Sequence, residues 1–313
     1  MKTVGFVLGH GDDPLLAREA DLLAPLAVPI FIVRGDGWRI HAERLGDGWR
    51  LSGGDFPTDH DPAMRLELLS RALAEVARSE RLDVLAADLS SADFHASQLA
   101  AARLDIPLIA SFPFHGHPLD LTRLVATSRG WSTLVCRTES HARMASAEKV
   151  RVIPPHVSLA RVPAASLPFA RPRVACLEAI PPVPSFEGTL LFPGPLSLEA
   201  HAMLDALGPV AWAARVGVVR DWAAFFRACD VIAFLSRESG LPAVLPEALR
   251  SGRPVLVMRG SAAACQFGEN TIEVDDEAQA LCADYLRASA PVCARAFSPA
   301  RARRRWLATI DPM

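Results

Sequence analysis

Short apolar runs alternate along this chain with stretches whose apolar residues recur at helical spacing. In the first half, residues 3–8, 28–33, 84–86, 108–110, 133–136 and 150–153 read as buried strands. Between them, residues 14–26, 62–79, 92–104, 119–127 and 140–145 read as helices, and Leu66, Leu69, Leu73 and Val76 mark one helical face. The second half repeats the pattern, with strands at 174–177, 189–192, 210–213, 231–235, 255–257 and 271–274. Such alternation predicts parallel sheets covered by helices. Periodicity fades between Pro154 and Pro184, where prolines accumulate, and an interdomain linker is expected over 154–172. Residues 298–310 open on an N-cap serine followed by proline and read as a final helix.

One short string occurs twice. Residues 35–40, Gly-Asp-Gly-Trp-Arg-Ile, recur at 46–51 as Gly-Asp-Gly-Trp-Arg-Leu. Asp-Gly favours a tight turn and Trp-Arg-aliphatic suits a strand, so a small hairpin is expected after the second strand. It reads either as a plain surface hairpin or as a lip over a cleft.

Composition narrows the choice of partners. At 313 residues, half of them hydrophobic, the chain can bury two cores of ordinary size. A net charge of −2 gives no polyelectrolyte signal and excludes nucleic acid as an expected partner. Lys2 and Lys149 are the only lysines; the remaining positive charge is arginine. Cys136, Cys176, Cys229, Cys265, Cys282 and Cys293 are widely spaced, which points to a reducing compartment without disulfides or structural zinc. The first apolar run is too short for a signal peptide, and Gly9-His10-Gly11-Asp12 breaks it. No stretch approaches the ~18 apolar residues of a membrane span. A cytoplasmic location is expected, with membrane contact at most peripheral. The basic run of residues 301–306, Arg-Ala-Arg-Arg-Arg-Trp, reads as a solvated helix face, or as one directed at phospholipid or at another domain.

The densest chemistry lies in residues 228–257: a buried strand, a polar Gly-containing turn from Ser236 to Leu241, a helix and a second buried strand. In open α/β sheets the carboxyl end of a parallel strand is where ligands bind, and helix N–H groups there suit an anion such as pyrophosphate. The string resembles the signature "aDvfvlPS..EGLPlvllEAmAsGrPVva" of retaining GT-B glycosyltransferases of family 4. Further stretches resemble the same family in the same order. Residues 12–33 are similar to its amino-terminal helix and strand, with Glu19 at the family's glutamate. Residues 101–121 resemble "aarllgiPfsfTaHAhDi", with His115 and His117 at the two histidines and Asp120 at the aspartate after a two-residue shift. Residues 134–157 resemble "vvtcSeynr…kvrvipnGvd", and Gly268-Glu269-Asn270 falls where the family reads "engllv".

The resemblance implies an α/β protein of GT-B fold, two Rossmann-like domains facing one another across a cleft. It would comprise an acceptor domain over 1–160, a nucleotide-sugar domain over 161–295, and a helix at 296–313 returning to the first. It implies a retaining enzyme that moves a sugar from a nucleotide-sugar donor to a glycan, lipid-linked or small-molecule acceptor, with no cofactor or metal. In the family's Glu-x7-Glu motif the first glutamate contacts the donor sugar and the second holds the ribose. Glu247 matches the second. Glu238 lies one residue further away than that spacing, and Ser239 holds the strict position. Glu238 and His115 are the implied catalytic residues. Ser239, Gly240, Leu241, Glu247, Arg215 and Arg253 are the implied donor contacts, and Gly11, Asp12, His117 and Asp120 the acceptor contacts. Read without the resemblance, Glu247 is a carboxylate favoured by a helix amino end, and the histidines are loop residues or a metal pair lacking a third ligand. The family's "fvGRLspeKG" is altered: Pro195 stands at the arginine, and Ala200 or His201 at the lysine. Catalysis therefore requires another arginine at the diphosphate, with Arg215 or Arg253 favoured over Arg237. The alternative is a catalytically degenerate relative that binds a glycan, a nucleotide or a partner protein.

Overall fold

The computed structural model describes residues 2–9, 14–33, 40–53, 62–114, 118–145, 149–157, 164–177, 185–194, 198–236, 241–276 and 298–311. The chain divides into two compact units, Met1–His156 with Pro299–Met313, and Val157–Ser298.

The first unit is built on an eight-stranded sheet. Its strands are β1 (Val4–Leu8), β2 (Ala27–Val33), β3 (His41–Leu45), β4 (Gly48–Ser52), β5 (Val84–Asp88), β6 (Leu108–Ser111), β7 (Thr133–Cys136) and β8 (Val150–Val152), in the order β3-β4-β2-β1-β5-β6-β7-β8. All pairings are parallel except the β3–β4 hairpin. The helices are α1 (Pro14–Leu23), α2 (Pro62–Ser79), α3 (Phe94–Leu104), α4 (Pro118–Thr127), α5 (Glu139–Ala145) and, from the end of the chain, Pro299–Ile310. Both faces of the sheet's centre are covered, which is why β1, β5, β6 and β7 are nearly continuous apolar runs rather than alternating ones. Val7, Leu85, Ala87, Leu108, Ala110, Leu134 and Cys136 pack under α2 and α3. Their neighbours of opposite parity, Phe6, Val84, Ala86, Ile109 and Val135, pack under α1 and the terminal helix. Trp306 of that helix is fully buried and meets Phe6 edge-on at 5.4 Å.

The second copy of the repeated string makes the hairpin turn. Gly46, at φ +55°, occupies the first position of a two-residue connection between β3 and β4, where a positive φ suits the strand twist. A Cβ at Gly48 would lie 2.6 Å from the Pro29 carbonyl, so glycine is what lets β4 approach β2. The first copy lies mostly outside the described residues.

The second unit carries a six-stranded, wholly parallel sheet in the order β11-β10-β9-β12-β13-β14. Its strands are β9 (Arg173–Leu177), β10 (Thr189–Gly194), β11 (Ala213–Val218), β12 (Val231–Phe234), β13 (Val255–Met258) and β14 (Ile272–Val274). Its helices are α6 (Leu198–Leu207), α7 (Trp222–Ala228), α8 (Leu245–Arg250) and α9 (Ala262–Phe267); the terminal helix of the first unit is α10. Asp221 caps α7 by accepting from the Ala224 N–H at 2.9 Å, and Ser261 caps α9 from Ala264 at 3.2 Å. The strand expected at 210–213 is displaced: a turn closed by the Ala213 N–H on the Val210 carbonyl occupies those residues, and β11 follows it. As the outer strand, bonded only to β10 and largely half-exposed, β11 needs no apolar run, and its sequence shows none.

Candidate functional site

In a doubly wound sheet the crevice opens at the carboxyl ends of the two strands between which the winding reverses. In the second unit those strands are β9 and β12. Their ends are joined by the Leu235 N–H on the Leu177 carbonyl at 3.2 Å. The turn singled out in the sequence leaves β12 at this point. Within it Leu241 is buried; Arg237, Glu238, Ser239 and Gly240 lie outside the described residues. Glu247 stands in the first turn of α8 and is only 4 % exposed. A carboxylate so shielded is a strong acceptor for hydroxyl donors, because bulk water competes poorly there.

The two favoured arginines are occupied elsewhere. Arg253 precedes β13, at the amino edge of the sheet and therefore opposite the 236–241 turn. Its guanidinium donates at 2.6 Å to the Arg227 carbonyl in the last turn of α7, where a cation offsets the helix dipole. The expectation that Arg253 reaches a ligand at the carboxyl edge is corrected accordingly. Arg215, exposed on β11, ion-pairs with Asp205 of α6 and donates to the His201 carbonyl at 3.2 Å. The strand that opens this unit, beside the reversal, is β9, and the stretch from it to β10 is 174–188. That stretch contains no Arg or Lys. Among the described residues the cations at this edge are Arg220, exposed after β11, and Arg259 after β13. Arg259 is engaged with Glu273 at 3.4 Å and Asp275 at 2.7 Å.

In the first unit the winding reverses between β1 and β5. Gly11, Asp12, His115 and His117 fall outside the described residues. Asp120 is exposed in the first turn of α4, where a carboxylate favours the helix dipole. Sequence reasoning missed a group of polar residues at the carboxyl edge. Asp88 ends β5, is 2 % exposed, and accepts from the Ser90 N–H at 2.8 Å and the Ser90 hydroxyl at 2.7 Å. Arg137 follows β7 and is held by two groups: both Glu19 carboxylate oxygens, one at 2.8 Å, and the Ser111 Oγ at 2.8 Å. All three side chains are buried. Next to them, Thr138 Oγ1 accepts from the His141 N–H at 3.1 Å, and the His141 ring stands edge-on to Phe112 at 5.2 Å. The signal available in the sequence was a single ionisable or hydroxyl residue terminating each apolar run, as in Ala-Ala-Asp88, Ile-Ala-Ser111 and Val-Cys-Arg137.

Among the described residues the buried thiols are poor nucleophiles. Burial pushes the Cys136 thiol up to about 12 against the pull of Arg137. Cys229 is raised to about 12 and Cys176 higher still, again by burial. A thiol of that pKa holds almost no thiolate at neutral pH. Among the described residues no group of three His, Cys, Asp or Glu side chains is arranged for a metal ion, and no helix is long and apolar enough to cross a membrane.

No protein-family model matches the sequence, and no curated protein matches it. Solved structures do. Anabaena HepE, crystallised with UDP and glucose, matches with a TM-score of 0.70 at 14 % identity over 100 % of both chains. Sucrose-phosphate synthase from Thermosynechococcus elongatus matches at 0.66 and 14 %, over 100 % of this chain and 97 % of that one. The lipopolysaccharide outer core galactosyltransferase WaaB matches at 0.66 and 12 %, over 100 % and 99 %. At such identities the likeness is one of architecture: this chain has the GT-B fold, two Rossmann-like units in one polypeptide.

Proposed function

We propose that the protein is a glycosyltransferase that takes a sugar from a nucleotide-sugar donor, with the nucleotide on the second unit. The observation that carries this reading is the coincidence at one place of sequence and topology. The 228–257 string, the part most like a sugar-nucleotide signature, lies where the second sheet reverses its winding, with Glu247 buried on the helix that follows. HepE, similar in fold, is crystallised with UDP-glucose. In the proposed roles, Glu247 accepts from the ribose hydroxyls, the 239–241 turn lies under the phosphates, and Glu238 faces the donor sugar. The reaction retains anomeric configuration, as the family 4 resemblance implies. The acceptor, a glycan, lipid-linked or small molecule, belongs to the first unit, near His115, His117, Gly11, Asp12 and Asp120.

Departing diphosphate needs a cation or equivalent donors in the transition state. With Arg253 at the other edge and Arg215 paired, Arg220 and Arg237 are the arginines assigned to it. The same observation favours the second reading, a relative that binds without turnover.

Titration calorimetry with UDP, GDP and ADP and their glucose esters separates these. Glu247→Gln should weaken the nucleotide that binds by about 1.5–3 kcal/mol, the scale of a hydrogen bond to a charged group. Arg253→Gln should leave that affinity unchanged. Release of free sugar or transfer establishes the enzyme; binding without either establishes the second reading. No binding of any nucleotide at millimolar concentration removes both.

A further inference from the structure

Arg301 of α10 is placed against ordinary helix electrostatics. Arg301 stands in the helix's first turn, which contains no acid, and Arg303, Arg304 and Arg305 follow it towards the middle. A cation near a helix amino end is unfavourable, and a plain solvated helix gains more from carboxylates there. None of these four has an ion-pair partner among the described residues, whereas Arg44, Arg65, Arg71 and Arg103 of the same unit each meet a carboxylate. Arg305 is partly buried, and its guanidinium pKa is lowered from the ordinary value, first by burial and then by the nearby Arg301 charge, against the pull of Glu139.

These charges border a cavity. A space of about 330 Å³ opens between α5, the edge strand β8 and α10, with Glu139, Arg151, Val152, Arg305 and Thr309 on its walls. Its size falls in the range of small-ligand sites, roughly 300–1,000 Å³. Arg305 is anchored by an Nη1–H bond to the Val152 carbonyl. Among the described residues Arg151, exposed on β8, reaches the Val150 carbonyl at 3.5 Å, too long for a strong bond. Arg151 and Arg305 therefore border one space, the Arg301 charge lies close to Arg305, and Glu139 is the carboxylate among the described lining residues. Planar guanidinium forks match the oxygens of a phosphoryl group, which accepts two parallel N–H bonds from each.

We infer that this cavity is a phosphoryl-binding site, formed by Arg151 and Arg305 with Arg301 at its rim, on the first unit and separate from the nucleotide edge of the second. The phosphoryl group belongs to a soluble phosphate ester or to an anionic lipid headgroup; the chemistry of capture is the same. Glu139 opposes the charge and weakens the site.

The test titrates the full-length protein with inorganic pyrophosphate and measures co-sedimentation with phosphatidylcholine vesicles containing phosphatidic acid. Arg151→Gln, at an exposed position that leaves the fold alone, should weaken capture roughly tenfold, the loss of about one charged hydrogen bond. Arg305→Lys keeps the charge but removes the fork and should also weaken it. Glu139→Gln should strengthen it by a few fold. Pyrophosphate bound in solution identifies a soluble ligand; capture only on anionic vesicles, still lost in Arg151→Gln, identifies a lipid. A signal that falls in Arg151→Gln and Arg305→Lys is assigned to the first unit, which separates this site from the nucleotide site proposed on the second. Absence of both signals in the native protein, or signals unchanged in Arg151→Gln and Arg305→Lys, overturns the inference.

Discussion

At the scale of single residues, the first unit's carboxyl edge rests on a buried ion pair. Arg137 and Glu19 are both fully buried, and water cannot compensate either charge once its partner is removed. Glu19→Gln alone, or Arg137→Met alone, should therefore destabilise the fold by about 3–5 kcal/mol in urea titrations. The double variant Glu19→Gln/Arg137→Met, which leaves no charge stranded, should recover most of that loss. Strictly additive losses would mean that the two side chains are not energetically coupled. Glu19 was visible in the sequence through its place in the family resemblance, but Arg137 was not. The pair lies 118 positions apart, and only the folded sheet puts α1 beside the end of β7. The same reason hid the true place of Arg253. An arginine just ahead of a strand is assigned to one edge or the other only when strand direction is known.

Among the elements, those legible in the sequence are those whose burial is two-sided. Strands β1, β5, β6, β7, β12 and β13 lie under helices on both faces, so apolar residues run without a break and announce themselves. Strand β11 is open to solvent along much of its length and was placed several residues too early. The turn after β12 was also legible, because strand, polar turn and helix followed in an order that α/β sheets repeat. Helix α10 was expected from its serine-proline start and its return to the first unit from the family resemblance, but its contact with Phe6 was not readable, since nothing local marks a particular partner at the opposite end of the chain. Trp306 fills the apolar layer between α10 and the sheet. Trp306→Ala should cost about 3–5 kcal/mol, the usual loss for a buried aromatic, and expose α10 to limited proteolysis. A loss below 1 kcal/mol in chemical denaturation would show that α10 is docked by its arginines rather than by its apolar face.

For the whole molecule, each of the two units is built on its own apolar core. The first unit's two apolar layers, centred on residues such as Leu85 and Phe6, share none of their residues with the second unit's core around Leu190, Val231 and Leu256. A ligand stabilises only the state that binds it, by about 2.7 kcal/mol at a hundredfold excess over Kd. If the nucleotide sits at the reversal between β9 and β12, that gain falls first on the strands and helix that hold the turn. Hydrogen–deuterium exchange with and without the bound nucleoside diphosphate reads this directly. Amides of β9, β12 and α8 should exchange more slowly in the complex, while those of β1, β5 and β6 keep their rates. Pyrophosphate, given alone, should instead slow amides of β8 and α10, because its proposed guanidinium partners lie there. Slower exchange at β5 and β6 on adding nucleotide, with β12 and α8 unaffected, would move the donor to the edge that carries Asp88 and Ser111. The assignment of the two units would then have to be exchanged.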